Sequence, residues 1–346
     1  MQYVGLDVHR AFSHACVMDE KGVVLMSEKV PNEMKAVDEF ISELEPGSKI
    51  VVEASYSWQY LYDYLEQNGF DMTPANPLQV KAIASARIKT DKIGAEMLAH
   101  LLRADLIPES YVAPQRVRDE RQVARLRSSL VNIRTEVKNK IHAILARHGI
   151  NYEMSDIFGK SGMEYLQTLE LPAASRFEID QYLFLLPALD ERIDGVQKQV
   201  EAMAEDNYHA RLIMTIPGIS HYSALMIMAE IGDITRFSPS RQLCSFAGLV
   251  PSVYRSGNTM RTGHLTKRGS SWLRWMLVQC ANMAIYTNSA LRKFYLTLHD
   301  KKGHKTAVIA TARKMLVYIH IMLKHNLQYS ALQVSRQMQK DLEDVN

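Results

Sequence analysis

Three short β-prone runs precede any helical stretch, at residues 3–8, 13–19 and 22–30, each separated from the next by polar or turn-forming residues. Runs joined by such short connections pair antiparallel, as a meander. The pattern then changes. A helical stretch at 32–44 leads to the apolar run 49–54, after which 58–68 is helical, 70–75 extended, and 77–87 and 91–104 helical. Strands joined through helices pair parallel. Residues 1–112 are therefore expected to form a mixed sheet with helices packed on it.

At 346 residues the chain has room for two or three domains, and its composition (47% hydrophobic, 23% charged) is that of a globular protein. This excludes disordered, collagen-like and disulfide-stapled chains. Cys16, Cys244 and Cys280 are too few and too far apart for a zinc site or a disulfide framework, which points to a reducing compartment. Asp7 interrupts the first apolar run, against a signal peptide, and no apolar run approaches the roughly 18–20 residues of a membrane span. A cytoplasmic protein without a membrane partner is expected.

The net charge of +3 hides an asymmetry. From Ile234 to His299, 66 residues contain no Asp or Glu, where the chain average predicts about seven. The same stretch carries Arg236, Arg241, Arg255, Arg261, Lys267, Arg268, Arg274, Arg292 and Lys293. A solvated face mixes signs; a single-sign stretch suits a polyanion. Upstream, residues 114–149 read as one long helix with nine Lys or Arg against three acids, a candidate RNA or DNA groove. Leu186, Leu189, Ile193, Val196, Val200 and Met203 then alternate at steps of three and four, fitting either a coiled coil or an intramolecular helix pair. The expected division is 1–112, a helical linker at 113–208, a mostly helical domain at 209–330 and a polar tail at 331–346.

Carboxylates in strands need partners or metals. Asp7 lies inside the first run, Glu53 ends a later one and Asp91 opens a helix. If the strands bearing Asp7 and Glu53 are neighbours, the three acids converge and can hold Mg²⁺ or Mn²⁺. Each alone is equally a strand-end or helix-cap acid. His9 shares a strand face with Asp7 but reads as a surface histidine; His264 is a candidate phosphate or proton-transfer group. Met226 and Met228 read as core.

The segments Val4-Gly5-Leu6-Asp7-Val8-His9, Val51-Val52-Glu53-Ala54, Asn76-Pro77 and Lys89-Thr90-Asp91-Lys92-Ile93-Gly94-Ala95 resemble the RuvC-like, RNase H-fold domain of the DEDD-type insertion-sequence transposases. That family includes Piv-type DNA invertases and bridge-RNA-guided recombinases. The resemblance implies an RNase H-like fold with a divalent-metal site at Asp7, Glu53 and Asp91. It places a fourth acid at position 94, where this chain has Gly94. Glu96 points away and is no substitute.

Further on, Ile216-Pro217-Gly218-Ile219-Ser220 has the form of a helix-hairpin-helix turn whose following amides meet a DNA phosphate. With Phe246-Ala247-Gly248-Leu249-Val250-Pro251, Arg255-Ser256-Gly257-Asn258 and Lys267-Arg268-Gly269-Ser270-Ser271-Trp272-Leu273-Arg274, it resembles the serine domain of the same family. The resemblance implies Ser256 as covalent nucleophile. Arg255, Arg261, Lys267, Arg268, Arg274 and Gly218 are the candidate nucleic-acid contacts, and Ser220, Ser245, Ser270 and Ser271 are disfavoured as nucleophiles. It further implies donor and target DNA, a non-coding guide RNA, a composite site built from different protomers, and a homodimer or homotetramer in a bacterial or archaeal nucleoid.

Two other readings stay open: a nucleic-acid binder whose catalysis Gly94 has impaired, and a junction nuclease that uses only the metal site. A sugar-kinase or actin-like ATPase is excluded, because Val8-His9-Arg10-Ala11-Phe12 lacks a phosphate loop.

Overall fold

A computed structural model describes residues 1–54, 58–83, 90–256, 259–267, 269–287 and 289–332. The side chains of Val253, Arg255, Ser256, Thr259, Met260, Thr262, Ala331 and Leu332 lie outside that description. So do Arg268, Lys89 and nearly all of the polar tail. The chain divides into two units, Met1–Val112 and Ala113–Asn346.

In the first unit, β1 (Tyr3–Val8), β2 (Phe12–Met18) and β3 (Val24–Pro31) precede α1 (Met34–Ser42), β4 (Lys49–Glu53), α2 (Gln59–Gln67), β5 (Asp71–Ala75), α3 (Pro77–Ile83) and α4 (Asp91–Arg103). The sheet order is β3-β2-β1-β4-β5. The first three strands pair antiparallel, while β1–β4 and β4–β5 pair parallel. The meander and the helix-linked strands thus occupy the two halves of one mixed sheet.

Period-2 alternation assigns the faces. Val4, Leu6 and Val8 of β1, with Ile50 and Val52 of β4, join Val37 and Phe40 of α1 and Leu61 and Leu65 of α2 in one core. On the opposite face Cys16 and Met18 pack with Ala95 and Ala99 of α4, and Val51 with Leu98 and Leu102. Gly5 belongs to this face. A Cβ there would lie 2.1 Å from the Ala95 carbonyl oxygen and 2.7 Å from the Ala99 nitrogen. The helix therefore rests directly on the backbone of the central strand.

The second unit comprises α5 (Gln115–Arg147), α6 (Lys160–Thr168), α7 (Ala173–Asp206), α8 (Tyr208–Ile213), α9 (His221–Ile231), α10 (Ser240–Phe246), β6 (Pro251–Ser256), β7 (Thr259–Leu265), α11 (Ser271–Ala284), α12 (Ala290–His325) and α13 (Tyr329–Leu332). It is helical apart from the β6–β7 hairpin, which the sequence reading did not anticipate. The α12 helix breaks at Gly303, whose φ is 73°. It also holds an 18-residue window of mean hydropathy 1.4, long and apolar enough to cross a membrane, contrary to the sequence expectation. Of that window 72% is buried within the protein, as in a core helix.

Two long helices, α5 and α7, run antiparallel: Arg147 pairs with Glu178, Arg134 with Asp190, Arg127 with Gln197 and Arg116 with Asp206. Within the heptad-like run of α7, Leu186 and Val200 lie in the cores of this same unit and Ile193 is buried as well, so that face is taken up within the chain. The basic excess of α5 is also used internally. Both Nε and Nη2 of Arg121 donate to the Ala229 carbonyl, a last-turn acceptor of α9. Arg125 pairs with buried Glu230 (Nη2 to Oε1, 2.6 Å). The Arg127 guanidinium lies over the Tyr222 ring, Lys138 lies over Phe158, Arg118 donates to Gln115, and Lys140 pairs with Glu136. Each of the nine cations of this segment thus has a partner within the same unit, while Arg116, Lys140 and Arg147 remain about half exposed or more.

The three cysteines are unpaired and buried, and burial pushes the thiols of Cys16 and Cys280 up to about 11. Neither is a nucleophile at neutral pH.

Gly5→Ala should destabilise the first unit by about 3 kcal/mol, the upper end of overpacking costs, because the obstructing atoms are backbone and cannot rotate away. Equilibrium urea unfolding measures it; a loss below about 1 kcal/mol would contradict the close approach of α4.

Candidate metal site and nucleic-acid surface

Parallel register puts Tyr3 beside Lys49 and Leu6 beside Val52, so Asp7 and Glu53 end neighbouring strands at the same edge and on the same face. That face carries α4. Thr90 caps the helix, its hydroxyl accepting from the Ile93 amide at 3.3 Å, and Asp91 occupies the first turn. Asp7 is 6% exposed. Among the described residues, one group offers three ligand atoms within 4.8 Å of one another: Asp7, His9 and Asp91. The structure thus brings Asp7 and Asp91 together. Glu53 faces the same edge but is not part of that trio.

His9, set aside in the sequence reading as a surface histidine, is the third member. Its Nε2 lies 3.3 Å from Asp91 Oδ1 and 3.9 Å from Asp7 Oδ2. The turn that carries it is fixed: the His9 amide donates to the Phe12 carbonyl at 2.9 Å, and Asn32 Nδ2 donates to the His9 carbonyl at 2.7 Å. The imidazole packs on the Phe12 ring at 5.1 Å. The signal in the sequence was its i+2 spacing from Asp7. A second histidine, His14, is the cross-strand partner of Asp7 and is 8% exposed. Only the β1–β2 register reveals that one.

Gly94 lies against this group. A Cβ built on it would sit 2.7 Å from Asp7 Oδ2, so the Asp7 carboxylate occupies space that a side chain at 94 would claim.

In the second unit, Ser256 ends β6 opposite Thr259 of β7, next to the hairpin tip. Its side chain and that of Arg255 lie outside the described residues, as does Arg268. Arg261, His264 and Lys267 are exposed. Lys267 adopts a left-handed backbone, φ 53°. Arg274 is half-buried, with Nη1 donating to the Ala247 carbonyl at 3.1 Å. Arg236 is likewise drawn inward, donating to the Ile231 carbonyl and lying over the Phe237 ring.

Gly218 has a structural task. Its φ is 93°, and a Cβ there would lie 2.6 Å from the Cys280 carbonyl and 2.8 Å from the Ala284 nitrogen of α11. The Ser220 amide, expected to be open to phosphate, donates to Ser223 Oγ at 2.7 Å. Ser270 caps α11, accepting from the Leu273 amide, and its hydroxyl donates to Glu230 Oε2 at 2.7 Å. Glu230, a buried acid in an apolar helix, was not singled out from the sequence.

Comparison with known proteins adds two matches in chain order. A DEDD transposase family model matches residues 4–150, and a model described as "Transposase IS116/IS110/IS902 family" matches residues 210–296. The transposase for insertion sequence element IS1111A of Coxiella burnetii is 26% identical over 345 residues, covering 95% of this chain and 91% of the relative. That for IS1328 of Yersinia enterocolitica is 24% identical over 81% of this chain and 83% of its own length. The pilin gene-inverting protein of Moraxella lacunata is 23% identical, covering 80% of each. Both units are thus matched to enzymes that move or invert DNA. The chain belongs to the IS110/IS116/IS902 family of DEDD transposases.

Gly94→Ala should separate folding from metal binding. Removing a mid-helix glycine favours α4 by up to about 1 kcal/mol, so the metal-free melting temperature should hold or rise. The new methyl displaces the Asp7 carboxylate, so the stabilisation given by added Mn²⁺ should shrink. Thermal melts with and without Mn²⁺ read both; an undiminished metal shift would contradict the contact.

Proposed function

We propose that this transposase recombines DNA through two chemistries: a divalent-metal site at Asp7, Glu53 and Asp91 in an RNase H-like domain, and Ser256 as a covalent nucleophile. The meeting of Asp7 and Asp91 at the end of the central strand carries the first part. The strand order, three antiparallel strands continued by two parallel ones, supports the fold assignment. The donor chemistry fits Mg²⁺ or Mn²⁺, since carboxylates are hard oxygen ligands. Bound there, the ion would neutralise charge on phosphate oxygens.

The chain's own residues supply the remainder. Asp7 is held by the sheet and Asp91 by a capped helix turn, so both are positioned before any ligand arrives. Arg261 and Lys267 are exposed cations in the acid-free stretch and would meet non-bridging phosphate oxygens. Ser256 Oγ would form a bond to phosphorus as a DNA hydroxyl departs, storing the cleaved linkage as a phosphoserine ester. Attack by an incoming DNA hydroxyl would reseal the strand and release the serine. A guide RNA would delegate target choice to base pairing. Its contacts would fall on the stretch from Ile234 to His299 and on the exposed cations of α5.

Gly94 favours a second reading, in which the chain binds nucleic acid with impaired cleavage. A covalent adduct distinguishes the two. The native protein incubated with donor DNA, guide RNA and Mn²⁺ should yield a denaturation-resistant protein–DNA species, and Ser256→Ala should abolish it while leaving DNA affinity within about twofold. An adduct that survives Ser256→Ala would overturn the nucleophile assignment; binding without any adduct from the native protein would support the impaired binder.

Replacing Arg261 and Lys267 together by Ala should flatten the log–log dependence of nucleic-acid affinity on salt by about one to two units. An unchanged slope would remove both from the phosphate-contacting set.

A further inference from the structure

The Asp7 cluster contains a nitrogen donor that a carboxylate-only metal site does not need. His9 Nε2 is buried and makes no hydrogen bond, although it lies within 4 Å of oxygens from both Asp7 and Asp91. The side chain as a whole is 38% exposed, so solvent or an ion can reach the ring, while its Nε2 faces the two carboxylates within ion-pair distance. The His9 backbone is held by the Phe12 and Asn32 hydrogen bonds and the face of its ring by the Phe12 ring, which itself carries the Lys29 ammonium at 4.7 Å. The imidazole is thus aimed between two carboxylates by contacts that owe nothing to those carboxylates.

Gly94 explains why a donor is wanted there. On α4 it lies one turn after Asp91, facing Asp7, and it contributes no ligand. Because the Asp7 carboxylate already fills the space of a Cβ at 94, the site is shaped for glycine at that position, and the further donor comes from the strand side.

Resting on the metal-site reading above, we propose that His9 is a further metal ligand beside Asp7, Glu53 and Asp91, and that this nitrogen donor selects Mn²⁺ over Mg²⁺. Mg²⁺ takes oxygen ligands almost exclusively, holds its waters tightly and gains little from imidazole. Mn²⁺ accepts carboxylate and imidazole together, and stands within the series of divalent ions that bind nitrogen donors. Imidazole in place of carboxylate also lowers the negative charge of the site, which weakens it for Mg²⁺ most, since hard-cation affinity follows ligand charge.

The test uses the full-length, untagged protein and Mn²⁺ alone. Loss of the free-ion electron paramagnetic resonance signal on titration gives the affinity, and electron spin-echo modulation of the bound ion reports directly whether a ¹⁴N nucleus is coordinated. The native protein should bind Mn²⁺ with a histidine-type ¹⁴N coupling. His9→Gln should abolish the coupling and weaken Mn²⁺ binding about tenfold or more. His9→Asp should restore binding without ¹⁴N coupling and should lower the Mg²⁺ concentration needed to displace Mn²⁺. Asp7→Asn tests the underlying site. Mn²⁺ binding that is lost in Asp7→Asn, unchanged in His9→Gln and free of ¹⁴N coupling in the native protein would overturn the role of His9 and leave the carboxylate site standing. Failure of the native protein to bind Mn²⁺ at all would overturn both. The ¹⁴N measurement on the native protein needs no variant, so a folding defect in His9→Gln would not obscure the answer.

Discussion

The contact between α4 and the backbone of β1 at Gly5 sets the geometry of the first unit. With no side chain between them, helix and strand approach until the Ala95 carbonyl lies over the Gly5 Cα. That separation, not any property of the acids, decides that Asp91 and Gly94 sit above Asp7. The small residues on the meeting face, Gly5, Ala95 and Ala99, determine the position of the carboxylates one turn away. Close packing leaves few alternative placements, because protein interiors deform little under a change of even one methyl group.

Much of this unit could be read along the chain because its signals are local. Alternation, helical periodicity and turn residues fall within windows of about ten residues, and the strand and helix bounds agree with them to within a few positions. Asp7 stood out because a carboxylate in a strand demands an explanation, whereas Asp91, at the start of a helix, stood out only through the family resemblance of its segment. What the sequence did not reveal depended on register. His14 opposes Asp7 only once β1 and β2 pair antiparallel, and His9 joins Asp91 only once α4 has docked. Neither relation leaves a mark within a local window.

Charge was the least legible property. The basic excess of α5 has the composition of a nucleic-acid-binding helix, yet several of its arginines meet Asp206, Asp190, Glu178 and Glu230, some 31 to 105 residues distant in sequence. Complementary charge placed so far away cannot be separated from solvated charge by counting. The stretch from Ile234 to His299 differs, because no acid lies within it to pair locally, and Arg261 and Lys267 remain exposed. Even there, Arg236 and Arg274 turn inward to backbone carbonyls, so a run of like charges over-counts the groups that face solvent.

The Glu230 carboxylate joins three segments: Arg125 of α5, its own helix α9, and the Ser270 hydroxyl at the cap of α11. The short connection from β7 to that cap is held at both ends, by the Thr266 amide to the Val250 carbonyl and the Ser270 amide to the Phe246 carbonyl. Between those anchors Lys267 is kept in a backbone conformation that an unconstrained lysine seldom visits. The backbone order at Thr266, Lys267 and Ser270 is therefore set when the protein folds. An acid buried in the helical core thereby helps fix the backbone from which an exposed cation projects.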